Sequence, residues 1–181
     1  SFWLDANEIK FPALNLALKE PNGLIGIGGD LSSDRLLYAY SEGIFPWYGK
    51  DEPILSYSPA PRMVITPEAF HLSKSLSKTI NSSKFDVSVN TVFLEVITNC
   101  QKVSRDGQSG TWIGEDMIKA YRTLHDSGYA HSYEVFLDDK LVGGLYGVAL
   151  GSVFLESLCF HLLVMHQRLL SPIFFKIVTI S

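Results

Sequence analysis

The chain has 181 residues, 46% of them apolar and 19% charged, with a formal net charge of −4; this excludes disorder as the main state and allows either one large domain or a small one docked on a medium one. The acidic balance argues against nonspecific binding along a nucleic-acid backbone and leaves room only for a local basic patch aimed at one RNA end. Cys100 and Cys159 lack the paired spacing of a zinc site or redox dithiol, Asp5 and Glu8 interrupt any signal-peptide core, and no run of about 18 apolar residues occurs, so a soluble cytoplasmic protein with buried reduced thiols is expected.

The first stretch is rich in turns, with Pro12, Pro21, Asn22 and Gly23 punctuating short apolar pieces. Ser32 is placed to cap a helix, and Asp34 falls in its first turn, where the helix dipole favours an acid. Leu36, Leu37 and Tyr40 form the apolar stripe of that helix, and Gly43 ends it. Gly26, Gly28 and Gly29 ahead of the helix match neither G-x-x-x-x-G-K-[ST] nor G-x-G-x-x-G, so they read as a strand-to-helix turn and not a phosphate cradle. After Pro46, Trp47 and Tyr48, the proline-rich run from Ser56 to Pro67 marks a boundary. It divides a small α+β N-terminal domain, residues 1–60, from a larger domain, residues 61–181, on which the first packs.

Leu72, Leu76 and Ile80 mark a short helix whose Lys74 and Lys78 form a solvated face or, in the sharper reading, meet RNA phosphate. Phe85 to Val89 alternates like a strand, and Val92, Phe93, Val96, Ile97 and Cys100 repeat with helical period. Gly107 and Gly110 have the spacing of a KH-type clamp, but Gln108 and Ser109 do not supply its basic pair. A further helix spans Gly114 to His125, with Glu115 and Asp116 at its positive end and Ile113, Met117, Ile118, Tyr121 and Leu124 on a buried stripe. Gly128 stops it.

Ser132 to Leu137 and Leu141 to Leu150 read as a hairpin turned by Asp138 and Asp139, with a third strand from Gly151. The returning strand alternates Val142, Tyr146, Val148 and Leu150, and Gly143, Gly144 and Gly147 interrupt it. Three glycines there imply a bulge or a close backbone approach, and either a tightly packed sheet or a substrate groove accounts for them. Helices preceding an antiparallel hairpin give an α+β layer architecture. His71, His125 and His131 are too scattered for a metal set and are expected to hydrogen-bond within the fold.

Three phrases together make the chain resemble a known family: GLIGIGGDLSSDRLLYAYSEGIFPW from Gly23, GTWIGEDMIKAYRTLHDSGYAHSYEVF from Gly110, and LVGGLYGVALGSVF from Leu141. They are similar to the leucyl/phenylalanyl-tRNA-protein transferases over about Asn22 to Phe154. The resemblance implies transfer of leucine, phenylalanine or methionine from the 3′ end of an aminoacyl-tRNA to proteins beginning with Arg or Lys, marking them for N-end-rule degradation. It also implies a monomer without a cofactor, built from a small N-terminal domain and a GNAT-like (acetyltransferase-like) mixed-sheet domain.

By the same resemblance Trp47 and Trp112 stack on the terminal adenosine, and Glu156 holds the α-amino group of the transferred residue. Stacking on an unpaired base is what flat indoles do well. The glycine-interrupted strand offers Leu145, Tyr146 and Val148 for the aminoacyl side chain, and an apolar pocket of that kind tells one methylene from another by only about 1 to 3 kcal/mol. A coenzyme A-dependent acyltransferase is the competing enzyme reading, but the Q/R-x-x-G-x-G/A loop it needs is absent.

The pattern breaks at FLESLCF, where the family has F-x-G-E-S-M-F, so that one residue is missing and Leu155 replaces a glycine. A single deletion in a strand swaps the faces of all residues beyond it, Glu156 included. From Ser157 to Ser181 no Asp or Glu occurs, and the family's S-x-x-S-K helix and D-C-Q strand are not found. A shifted reading frame with an early stop, or a divergent tail, accounts for this. The domain is then expected to be incomplete at its C-terminus, with little transferase activity and only tRNA-end binding retained.

Overall fold

A computed structural model describes residues 2–49, 51–62, 64, 66, 84–102 and 113–161, side chains of 156–161 excepted, and among these described residues are two four-stranded sheets and three α-helices. The expected helix around Leu72 to Ile80 with its lysines, His71, the loop holding Gly107 and Gly110, Trp112 and residues 162–181 lie outside the described residues.

The first sheet has the order β1-β2-β4-β3, from β1 (Trp3–Leu4), β2 (Leu24–Gly28), β3 (Phe45–Pro46) and β4 (Leu55–Tyr57). Its β1 runs parallel to β2 and the other pairs are antiparallel, so this is the mixed sheet. Between β2 and β3 lies α1 (Ser33–Ser41), capped as the sequence indicates by Ser32, whose hydroxyl accepts from the Arg35 amide. Its other end is a Schellman motif: Gly43, at φ +73°, donates to the Tyr40 carbonyl, and Ile44 donates to Ala39. The apolar contact that accompanies such a motif is present, since Ile44 and Ala39 pack with Ile25.

Among the described residues the second sheet is antiparallel throughout, in the order β5-β6-β7-β8: β5 (Asp86–Val89), β6 (Ala130–Leu137), β7 (Lys140–Leu150) and β8 (Val153–His161). The β6–β7 turn holds Asp138 and Asp139 at φ +49° and +60°, the left-handed pair a two-residue hairpin requires. Helices α2 (Phe93–Lys102) and α3 (Glu115–Asp126) intervene between β5 and β6 and bury the stripes their periodicity marks. The fold is α+β.

One apolar cluster joins both sheets. Leu36, Tyr40 and Tyr48 from the first part pack with Val96 and Ile97 of α2, Met117 and Leu124 of α3, and Tyr146 and Val148 of β7. Ile25, Ala39 and Ile44 form a small separate cluster in the first part. No helix among the described residues is long and apolar enough to cross a membrane.

Candidate functional site

Trp47 leaves β3 with its amide bonded to the Leu55 carbonyl at 2.8 Å and its ring tilted against Tyr57, centroids 5.5 Å apart. These contacts hold the indole from within the first sheet while 40% of the residue stays exposed. The next residue does the opposite: Tyr48 is 7% exposed, and its hydroxyl donates to Asp116 Oδ2 at 2.6 Å. Burial, then the bond to Asp116 and its charge, raises the Tyr48 phenol well above the ordinary tyrosine range.

Asp116 sits in the first turn of α3, where its Oδ1 accepts from the Met117 amide at 2.9 Å. Just ahead of it, Ile113 is 1% exposed and its carbonyl accepts from Gln101 Nε2 at 2.8 Å. The start of α3, three residues beyond Trp112 in sequence, is therefore bound both to α2 and to the segment that carries Trp47. Beside this junction an open cleft of about 480 Å³ is lined by Asp30, Leu31, Ile54, Asp116, Lys119 and Thr123. Burial alone would raise the Asp30 carboxyl, but hydrogen bonds from Ser32, then Arg35, outweigh it and hold it below the usual range.

The three strand residues expected to line a side-chain pocket are deeply placed. Leu145 is 1% exposed, and Tyr146 and Val148 are fully buried. Tyr146 and Val148 face the helices; the Tyr146 ring lies edge-on to Phe93 and Tyr121 at 6.1 and 5.4 Å, and its hydroxyl is buried with no hydrogen-bond partner among the described residues. Leu145, opposite Tyr133 in β6, belongs to the other face by the two-residue period of a strand.

β7 is buried along most of its length and does not alternate between buried and exposed residues, because it is a central strand. Register shifts place one extra residue, Val142, opposite the Val135–Phe136 step, and another, Ser157 of β8, opposite the Tyr146–Gly147 step. At Gly147 the close approach is real: a Cβ there would collide with the Leu155 carbonyl and lie 2.6 Å from the Phe154 ring. Glu156 pairs with Gly147 in the register, so its row of the sheet runs His131, Gly147, Glu156.

His125 stacks on Phe93 at 4.2 Å with Nδ1 2.9 Å from the Ala130 carbonyl, and His131 Nδ1 lies 2.9 Å from Asn90 Nδ2. Both histidines hydrogen-bond within the fold, and no group of three metal-ligating side chains occurs among the described residues. The Gly28–Gly29 turn, at φ +83° and +80°, leads to the Ser32 cap, and the Arg35 side chain packs on it.

Sequence reasoning missed three pairings that give this region its shape: Tyr48 with Asp116, Tyr40 with Tyr121, and fully buried Glu134 with the hydroxyls of Ser88, Thr91 and Ser132. Glu134 had a signal, a lone acid between Tyr133 and Val135 in an apolar strand; the tyrosine pairings join residues 68 and 81 apart and had none. Trp47 keeps an accessible indole held by the Leu55 carbonyl and the Tyr57 ring, an arrangement suited to stacking on a flat ring.

Comparison with known proteins matches residues 64–164 to a family model described as leucyl/phenylalanyl-tRNA protein transferase, and residues 29–60 to one described as the N-terminal domain of that transferase. A leucyl/phenylalanyl-tRNA–protein transferase of Hydrogenovibrio crunogenus is 49% identical over 153 residues, covering 84% of this chain and 60% of the relative. One of Chromobacterium violaceum is 51% identical over 152 residues, covering 84% of this chain and 64% of the relative. The chain thus spans about three-fifths of the length of these relatives.

Proposed function

The chain belongs to the leucyl/phenylalanyl-tRNA protein transferase family, and on that premise we propose that it moves leucine, phenylalanine or methionine from the 3′ end of an aminoacyl-tRNA to the N-terminal amine of proteins beginning with Arg or Lys. The acceptor is thereby marked for N-end-rule degradation in the cytoplasm. The observation that carries this reading is the Trp47 indole, 40% exposed yet fixed by the Leu55 carbonyl and the Tyr57 ring. A large apolar ring costs free energy when left in water, and an unpaired base stacked on it recovers about 1 to 3 kcal/mol.

In this proposal Trp47 and Trp112 bracket the terminal adenosine. Leu145 meets the aminoacyl side chain, with Tyr146 and Val148 fixing the strand from behind, and Glu156 holds the α-amino group. The ester is already activated: the acceptor amine attacks its carbonyl carbon, a C–N bond forms, the C–O bond to the ribose breaks, and the amine's proton leaves with the ribose hydroxyl. Alignment and stabilisation of the developing oxyanion are what the protein must supply, and no cofactor is required. The larger domain, residues 61–181, is GNAT-like, the smaller one spans residues 1–60, and the enzyme acts as a monomer.

A second reading, tRNA-end binding without turnover, draws on two observations: Leu155 precedes Glu156 where the resemblance expects glycine, and β8 carries an extra residue directly after the glutamate. Both readings are tested by supplying tRNA charged with labelled phenylalanine together with one peptide beginning with Arg and another beginning with Gly. Label in the Arg peptide alone is expected. Retained binding of charged tRNA without label supports the second reading, and neither binding nor transfer refutes both.

A further inference from the structure

We propose that Arg62 grips phosphate at the same site: its guanidinium takes the phosphodiester that precedes the terminal adenosine, while the Trp47 indole takes the base. The inference rests on the adenosine reading of Trp47 and deepens it, naming the residue that holds the second recognisable group of that nucleotide.

The first sheet gathers aromatic rings on one side here. Phe45 lies opposite Tyr57 and Pro46 opposite Ser56, and the bond from the Trp47 amide to the Leu55 carbonyl carries the β3–β4 pairing one residue further. Burial alternates along this run: Pro46 and Tyr48 are buried, whereas Phe45 is half-buried and Trp47 exposed. Phe45 and Trp47 therefore share a side, about 6.6 Å apart along the strand. Tyr57, opposite the first, packs its ring on the second.

Arg62 stands over this row at its Phe45 end. Its Cζ lies 5.0 Å from the centroid of the Phe45 ring, and its Nη1 donates to the Gly43 carbonyl at 2.7 Å, just past the end of α1. Ring and carbonyl together orient a guanidinium that is otherwise exposed. Such a group has five N–H donors. Among the described residues the Gly43 carbonyl is its hydrogen-bond partner, and no carboxylate pairs with it. What is left is a pre-oriented positive fork, the shape that matches two phosphate oxygens.

The other end of the row carries the opposite charge. Glu52 Oε2 accepts from the Gly49 amide at 2.7 Å, and burial, then the charge of Glu52, raises the Tyr57 phenol. A nucleotide stacked on Trp47 is thus turned with its phosphate toward Phe45 and away from Gly49.

The test uses the whole chain and two probes. Both are adenosine carrying phenylalanine in a non-reacting 3′-amide; one keeps its 5′-hydroxyl and the other bears a 5′-methyl phosphate. The unmodified chain is expected to bind the phosphate-bearing probe about tenfold more tightly. Arg62→Gln should bring the two affinities within about twofold of each other and leave that of the nucleoside probe in place, which also reports that the site is folded. Arg62→Lys, which keeps the charge without the fork, should retain about a threefold advantage. Trp47→Ala should weaken both probes.

Equal affinity for the two probes in the unmodified chain overturns the inference and leaves the adenosine reading standing. An advantage that survives Arg62→Gln overturns it too, because another cation then holds the phosphate. So does an equal loss of both probes in Arg62→Gln, which makes Arg62 a support of the sheet alone. A chain that binds neither probe refutes the adenosine reading itself, and the inference falls with it.

Discussion

The hydroxyls of Tyr40 in α1 and Tyr121 in α3 are hydrogen-bonded to each other inside the core, where the two residues are 4% and 2% exposed. Their rings meet edge to face at 6.4 Å, and Tyr121 makes the same kind of contact with Tyr146 of β7. The bond joins the two halves of the chain at a point where water does not compete. Removing either hydroxyl removes the bond between the two halves, so Tyr40→Phe and Tyr121→Phe should each cost about 1 to 2 kcal/mol, and the double variant clearly less than their sum. Urea unfolding of the four proteins measures this; strict additivity would show that the pair is not coupled.

Glu134 ties the β5–α2 turn to β6. It accepts from Ser132 at 2.5 Å on one oxygen and from Ser88 at 2.6 Å and Thr91 at 3.2 Å on the other. Asn90, at φ +60° between Ser88 and Thr91, closes the turn by accepting from the Ser132 amide. Glu134→Ala should destabilise the chain by about 2 to 3 kcal/mol, since the buried Ser132 hydroxyl and the more accessible hydroxyls of Ser88 and Thr91 lose their acceptor; Glu134→Gln, which keeps the shape and one acceptor, should lose about 1 kcal/mol. Equal losses for the two variants in urea unfolding would show that shape, not hydrogen bonding, holds the turn.

Alkaline stability follows from two phenols. Burial first, then neighbouring charge, raises the tyrosine pKa of both Tyr48 and Tyr146. The folded chain keeps protons that the unfolded chain releases near pH 10, so this part of the stability is intact below about pH 10 and declines as pH rises above it. The melting temperature should fall between pH 9 and 11, and Tyr48→Phe should fall less steeply. A melting temperature that is flat over this range would refute the argument.

Gly147 is the position where the packed-sheet and groove readings separate. The Leu155 carbonyl and the Phe154 ring occupy the space a side chain would need, and the carbonyl cannot move without breaking the β7–β8 ladder. Gly147→Ala should therefore cost about 3 kcal/mol, the upper range for forcing a methyl into a packed interior. A loss under about 1 kcal/mol would mean that β8 can withdraw and that the space over Gly147 opens.

Local chemistry made much of the fold legible. The Ser32 cap, the Gly43 stop, the Asp138–Asp139 turn and the stripes of α2 and α3 are each set by residues within one turn of one another, so sequence spacing alone locates them. The strand carrying the candidate pocket was less legible. Its period separates Leu145 from Tyr146 and Val148, but the depth at which the three lie follows from packing partners elsewhere in the chain, such as Phe93 and Tyr121 around Tyr146. The mount of Trp47 was not legible at all: Leu55 and Tyr57 lie across an irregular connection, and Asp116 lies 68 residues from Tyr48. Glycine at 147 fitted both readings because both require that a side chain be missing.

Trp47 itself gives the most direct functional prediction. Because the residue is 40% exposed and its ring packs on Tyr57, Trp47→Ala should destabilise the chain by about 1 to 3 kcal/mol, less than the loss of a fully buried indole. Binding is therefore compared at a temperature where all the proteins are folded. If the indole is the base platform, the same substitution removes about 1 to 3 kcal/mol of stacking, or roughly 5- to 150-fold in affinity for the charged tRNA end. Trp47→Phe, with a smaller ring in the same place, should fall between. The loss should appear equally with leucyl- and phenylalanyl-tRNA, because the adenosine is common to both and the side chain does not meet Trp47. Filter binding of the two charged tRNAs to the three proteins separates the cases: a loss confined to one amino acid would place Trp47 in the side-chain pocket, and no loss with either would remove it from the site.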